Sequence, residues 1–213
     1  MCVRLRARCF VVFVFVLVAL QRGSAAVPRD LISMAYLGRY SVSALEMLNG
    51  VTPMSKFDRF KEAQGSPYGG FESALDEVRA GAKSGHWIWY VFPQISGLGS
   101  SYNSQTFAID GTEEAIEFLR DPVLRSRLLT IGQAVAEQLR KGKALRGLMG
   151  SDIDARKVVS SLTLFGRVAR KLDEAEGSDA YKSLAAVAEE VLSLAAPQGY
   201  PACAYTLSRI RGM

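Results

Sequence analysis

The stretch that most constrains this chain is SDIDARKVVSSLTLFGRVARKLDEAEG, Ser151 to Gly177. Ser151 and Asp154 stand three residues apart ahead of a long periodic run, the spacing of a capping box at a helix start. Behind them Ala155, Val159, Leu162, Gly166 and Ala169 form one stripe. Val158, Ser161, Phe165, Val168 and Leu172 form an adjoining one. A helix apolar over that width must be enclosed by other elements, so the pattern predicts a central helix with the rest of the domain packed around it.

The segments available to enclose it also read as helices. Ser55 with Asp58 opens SKFDRFKEAQG, with Phe57, Phe60 and Ala63 on one face. Gly65 to Gly70 is a break, and FESALDEVRAG then carries Phe71, Leu75 and Val78 and stops at Gly81. Thr112 opens TEEAIEFLRD with acids in its first turn, as the helix dipole prefers. Asp121-Pro122 caps the next helix, with Leu124, Leu128, Ile131, Val135 and Leu139 inward and Gly142 at its end. Ser178 caps a last long helix through Ala196, stopped by Pro197. No segment of useful length alternates apolar and polar residues as a half-buried strand would. HWIWYVF, His86 to Phe92, is short, apolar and aromatic, so periodicity alone leaves strand or helix open. A lone strand would have nothing to pair with, and Ser84 sits where a cap would sit. A short buried helix is the expectation. The fold class is therefore all-α, a single compact domain of about six to eight helices over residues 55–210.

Ahead of that domain stands MCVRLRARCFVVFVFVLVALQRGSAA. Arg4, Arg6 and Arg8 make a positive front, Cys9 to Leu20 an apolar middle, and Ser24-Ala25-Ala26 a small-residue end. Those are the three parts of a secretory signal peptide over 1–26. Residues 27–54 read as a loosely structured extension, poor in acids, with Asp30 and Glu46 alone between Val27 and Lys56. The destination expected is the secretory pathway or the exterior. The alternative is a complex plastid reached through a two-part leader.

The leader also decides the charge argument. The whole chain has 26 basic and 21 acidic side chains, a net +5. Arg4, Arg6, Arg8 and Arg22 precede Val27 and no acid does, so the mature chain holds 22 basic against 21 acidic residues. The high isoelectric point belongs mostly to the leader and is no argument for nucleic acid, which needs a basic patch on the folded domain. Arg140, Lys141, Lys143 and Arg146, and Arg167, Arg170 and Lys171, read as solvated helix ends. No membrane association is expected once the leader is gone. Cys203 is the one cysteine outside the leader, so neither an intramolecular disulfide nor a cysteine zinc cluster is expected, and no metal site is read. No cofactor or oligomeric state is legible. GLGSS, Gly97 to Ser101, follows no clear strand and is a poor phosphate loop.

Several of these blocks, taken in order, resemble the domain-of-unknown-function family numbered 1810. They are FDRFKEAQ, RAGAKSGHWIWYVFPQISGLGSS, the Gln105 to Ile109 turn, DPVLRSRL and GSDIDARKVVSSLTLF. The family pattern runs Phe-x-x-Ala-Gln, Ser-His-Trp-x-Trp-aromatic-x-Phe-Pro-Gln, Gly-Leu-Gly-x-Ser, Tyr-Ala-Ile and Ser-Ser-Met-Thr-Leu-Phe. The likeness covers about Ser55 to Ile210. Gly85, Phe107 and Leu162 depart from it, where the family has Ser, Tyr and Met. The resemblance implies an all-helical domain, and it implies no biochemical activity.

The candidate site is read around His86, the single histidine. It is either a buried histidine donating to a backbone carbonyl or an acid, base or ligand contact that titrates near neutrality. In a continuous helix Trp89 and Tyr90 would share its face. Trp87, Trp89 and Phe92 suit core or an aromatic platform. Gln94 and Gln105 either close loop hydrogen bonds or read a ligand edge. Ser160, Ser161 and Thr163 either bond back into their helix or line a pocket. Lys157, one turn before Ser161, is either a solvated stem or a cation for an anionic group. The leading expectation is an unidentified small molecule, anionic or nucleotide-like, bound between the His86 segment and the 152–175 helix. Ligand contacts would come from Trp87, Trp89, Gln94, Gln105, Lys157, Ser160 and Ser161. The alternatives are a protein-interaction module without catalysis and an enzyme using His86 as general base. The two polar sets, at the ends of the aromatic run and inside the central helix, are expected to face each other.

Overall fold

The computed structural model describes residues 55–210, so the expected leader and extension lie outside the described residues. The described residues hold ten helices and no strand, apart from one isolated parallel bridge between Ile95 and Ile109. Six of the ten run to eight or more residues in the order that the periodicity predicted. They are α2 (Phe71–Ala80), α5 (Gly111–Arg120), α6 (Pro122–Arg140), α8 (Asp152–Glu176) and α9 (Asp179–Ala195), with α1 (Asp58–Gly65) ahead of them. The rest are single turns: α3 (Ile88–Val91), α4 (Tyr102–Thr106), α7 (Leu145–Met149) and α10 (Ala204–Arg209). None of the described helices is long and apolar enough to cross a membrane.

The wide apolar helix is indeed central. α8 packs against α5, α7, α9 and α10, while α6 fills between α9 and α2. Both of its predicted stripes are buried from Ala155 to Leu172, apart from a partly open Gly166. The helices meet where side chains are small. A Cβ built on Gly166 would lie 2.8 Å from the Cβ of Ala188, and one on Gly132 would lie 3.0 Å from Val187 Cγ1. Tyr181, Leu184, Ala188 and Val191 complete the α9 face. A chain of aromatic rings joins the N-terminal helices to this core. Phe60 meets Phe118 edge-on at 5.2 Å, and Phe118 meets Phe165 at 4.8 Å.

The caps follow the sequence with instructive exceptions. Ser151 Oγ accepts from Asp154 N at 3.1 Å, and Asp121 Oδ1 accepts from Val123 N and Leu124 N. Gly81 takes the left-handed conformation that ends α2, at φ 84°. The α8 box is only half closed, because the Asp154 carboxylate turns to two lysines instead. Ser178 makes no side-chain cap bond, and α5 begins one residue before Thr112. There the Glu114 carboxylate reaches back to the Asp110 N–H at 2.5 Å.

The aromatic run is helical as expected, but only over one turn, and it does not start at Ser84. Both N–H groups that would begin such a helix, of Ser84 and Gly85, are taken by the carboxylate of Glu77. The first helical bond therefore runs from Val91 N to Trp87 O. His86 precedes the helix, so the shared face with Trp89 and Tyr90 is not formed.

Candidate functional site

Glu77 organises the His-Trp block from the neighbouring helix. Its Oε2 accepts from Ser84 N at 2.7 Å, Gly85 N at 2.9 Å and the Trp87 indole N–H at 2.7 Å. Burial pushes its carboxyl up, but these three donors outweigh that and hold it below the usual carboxylate range. Trp87 is thereby fully buried, with its one polar atom satisfied. His86 lies on the outer side of the same loop, exposed, with no hydrogen bond among the described residues. The buried histidine donating to a carbonyl is not what the structure contains: Glu77 holds the backbone just before His86 and the Trp87 indole just after it, and the imidazole is turned to solvent.

Gln94 reaches the central helix, whereas His86 at the other end of the run does not. The loop that carries it is pinned by Ile109 N to Gln94 O and Ser96 N to Ile109 O, each 2.9 Å. Its side-chain amide donates to Ser160 Oγ, across from the buried face of α8. Ser160 in turn donates to Lys157 O at 3.1 Å. Gln94 and Ser160 line a depression of about 300 Å³ with Leu98, Lys157, Val159 and Cys203. Ile153, Arg156, Tyr200 and Pro201 complete its wall. Its surface is mostly apolar, with a few polar groups converging on it.

The cations beside it are held, not loose. Lys157 Nζ lies 4.4 Å from the Trp89 ring centroid and 3.1 Å from Asp154 Oδ1. Asp154 Oδ2 pairs with Lys83 Nζ at 2.8 Å, and Lys83 also donates to Gly85 O. Burial raises the Asp154 carboxyl, yet the two lysines more than offset this and keep it below its ordinary value. Arg156 Nε donates to Asp152 Oδ2 at 2.8 Å while its guanidinium lies 5.6 Å from the Tyr200 ring. Tyr200 Oη donates to Asp152 Oδ1 at 2.9 Å. Asp152 is held low by Arg156 and then by Tyr200.

The predicted residues thus separate. Gln94, Lys157 and Ser160 come together in the groove, and Trp89 lies beneath Lys157. Trp87 is core. Ser161 is fully buried with an unpartnered hydroxyl and does not line the groove. Thr163 bonds back to Val159 O and accepts from Cys203 N. Gln105 is exposed on α4, with no side-chain hydrogen bond among the described residues, and His86 is outside the lining. Sequence reasoning missed Glu77, Lys83, Asp154 and Tyr200. It also missed Gln64, whose amide donates to Tyr90 O at 2.6 Å and accepts from Arg127. One signal was available for it: a glutamine in line with the buried Phe57 and Phe60 in the resembling block.

An all-helical domain with a polar-edged groove beside its central helix is the class these observations define. The chain belongs to the family described as Protein of unknown function (DUF1810), whose pattern matches residues 54–182. Among solved structures it is similar to the conserved hypothetical protein Rv1873 from Mycobacterium tuberculosis. That likeness has 31% sequence identity and a TM-score of 0.57, over 74% of this chain and 98% of that one. No curated protein matches the chain.

Proposed function

We propose that the domain binds a small anionic molecule, nucleotide-like in its polar edges, in the groove between Gln94 and the first half of α8. The observation that carries this reading is the pairing of Gln94 with Ser160 beside Lys157, from segments 66 residues apart, on a concave surface. Ser160 is spent on Gln94 and on Lys157 O. Gln94 keeps its carbonyl and its second amide hydrogen, a donor–acceptor edge that suits a planar amide or base. Lys157 and Arg156 supply the positive charge. A thermal-shift screen of metabolites on the full-length chain tests it, since a ligand at about 100 times its Kd adds near 2.7 kcal/mol. The expected hit is an anion whose shift falls in Gln94→Ala and Lys157→Gln. A hit indifferent to both substitutions refutes the site.

A second reading, an interaction module, draws support from exposed Tyr68, Tyr102 and Ile153. An enzyme using His86 as base draws less, because that imidazole stands apart from the groove. The secretory destination, with the plastid as alternative, is also a proposal. Intact-mass measurement of the native protein checks it: a mass beginning after Ala26 is expected, and one retaining Met1 or Cys2 refutes it.

A further inference from the structure

A second depression adjoins the groove. Its volume is about 490 Å³, and Gly142, Lys143, Ala144, Arg146 and Gln198 line it together with Tyr200. Tyr200 also lines the first groove, so the two depressions meet at this residue. The basic run that read as a solvated helix end is placed by the fold at this junction. Lys143 and Arg146 are exposed and make no ion pair among the described residues. Neither depression has an acidic side chain in its lining. The carboxylate at the junction, Asp152, is already occupied by Arg156 and the Tyr200 hydroxyl.

Tyr200 is anchored in place. Tyr200 is 6% exposed, its hydroxyl is tied to the first turn of α8, and Arg156 covers its ring. Arg156 and Lys157 line one depression, and Lys143 and Arg146 the other, with Lys143 reaching toward Gly81. A single oxyanion cannot touch both depressions. A molecule with charge at two or more separated points can, and planar guanidinium groups suit such oxyanions.

We infer that the Lys143–Arg146 depression is a second anion subsite, joined to the Gln94 groove around Tyr200, and that the ligand is an extended oligoanion of the polyphosphate-bearing class. This rests on the groove reading for its first half and adds the second. The test uses the full-length chain with inorganic phosphate and inorganic tripolyphosphate as probes, titrated by calorimetry at fixed ionic strength. Tripolyphosphate is expected to bind at least about tenfold tighter than phosphate, a difference of about 1.4 kcal/mol. Lys143→Gln with Arg146→Gln is expected to erase that preference while phosphate binding stays within about twofold. Both side chains are exposed, and the unliganded melting temperature checks that the variant stays folded. Arg167→Gln with Lys171→Gln removes the same charge from the far half of α8 and is expected to leave the preference intact. A preference that survives the first pair, or falls equally with the second, overturns the inference. Lys157→Gln separates the two readings. If phosphate affinity is unchanged in it, the groove reading falls. If phosphate binding needs Lys157 but no length preference exists, only the second subsite falls.

Discussion

Replacing Glu77 with alanine removes one acceptor that three donors share. Ser84 is exposed and its N–H can turn to water, as can that of half-buried Gly85. The Trp87 indole N–H cannot, because the ring is fully buried. A buried donor left without a partner costs about 1–3 kcal/mol, so E77A is expected to lose about 2 kcal/mol. For a domain of this size that is a fall of about 4–8 °C in melting temperature. E77Q keeps an acceptor oxygen but loses its charge, and the partial exposure of Glu77 screens that loss to about 1 kcal/mol. The chain has only two tryptophans, and both lie in this block. Urea unfolding followed by tryptophan emission therefore reads the loop directly. The sign with pH is also fixed. The folded carboxyl is held below its ordinary value, so its contribution is full above about pH 4.5, where the unfolded group is ionised. It is lost as pH falls through the lowered folded value, and the gap between the native chain and E77Q should close on acidification. Superimposable urea curves and unchanged emission for E77A would mean that other contacts hold the loop and that the argument from Glu77 is mistaken.

Asp154→Asn leaves two little-exposed lysines short of their shared carboxylate and is expected to cost about 2 kcal/mol, less than a fully buried pair; chemical denaturation measures it. Because Asp154 is also held low, that cost should shrink as pH drops through its folded value. Gly166→Ala should destabilise by about 1 kcal/mol despite better helix propensity, because the new methyl meets Ala188, and adding Ala188→Gly should restore stability. An additive double mutant would contradict this. Gln64→Leu strands the Tyr90 carbonyl and the Arg127 guanidinium and is expected to lower the unfolding midpoint by an amount worth about 2 kcal/mol.

What was legible in the sequence follows from what is local. The stripe from Ala155 to Leu172 marked the central helix because burial on one face leaves a period in the chain. Asp121-Pro122 and Gly81 marked ends for the same reason. Gln94 and Ser160 were legible only as members of two polar sets expected to face each other, and of the first set His86 and Trp87 do not take part. His86 was misjudged because a carboxylate ten residues upstream of Trp87 governs that loop, and nothing in the spacing of Glu77 announces it. Arg146, Lys143 and Tyr200 escaped notice as a group because the fold, and not the chain, brings them together. Ser84 read as a cap from its type alone, whereas its N–H was already committed elsewhere.

The tail after α9 builds the outer wall of the groove: it is anchored at Tyr200 and held beyond it by single hydrogen bonds and a few buried side chains. Cys203 N bonds to Thr163 Oγ1, Tyr205 Oη to Ser96 O, Tyr200 Oη to Asp152, and Thr206 and Ile210 tuck inward. The Tyr205–Ser96 bond spans 109 residues of chain. Segments held by few contacts open locally at a lower free energy than the core does. Local opening of the tail would leave the helical core intact and the groove without one side, a form that is expected to lie below global unfolding in free energy. Hydrogen exchange at the Cys203 amide measures how often that form is visited. A bound ligand would slow the exchange in proportion to its affinity, so this single amide is a gauge of occupancy even before the ligand is known.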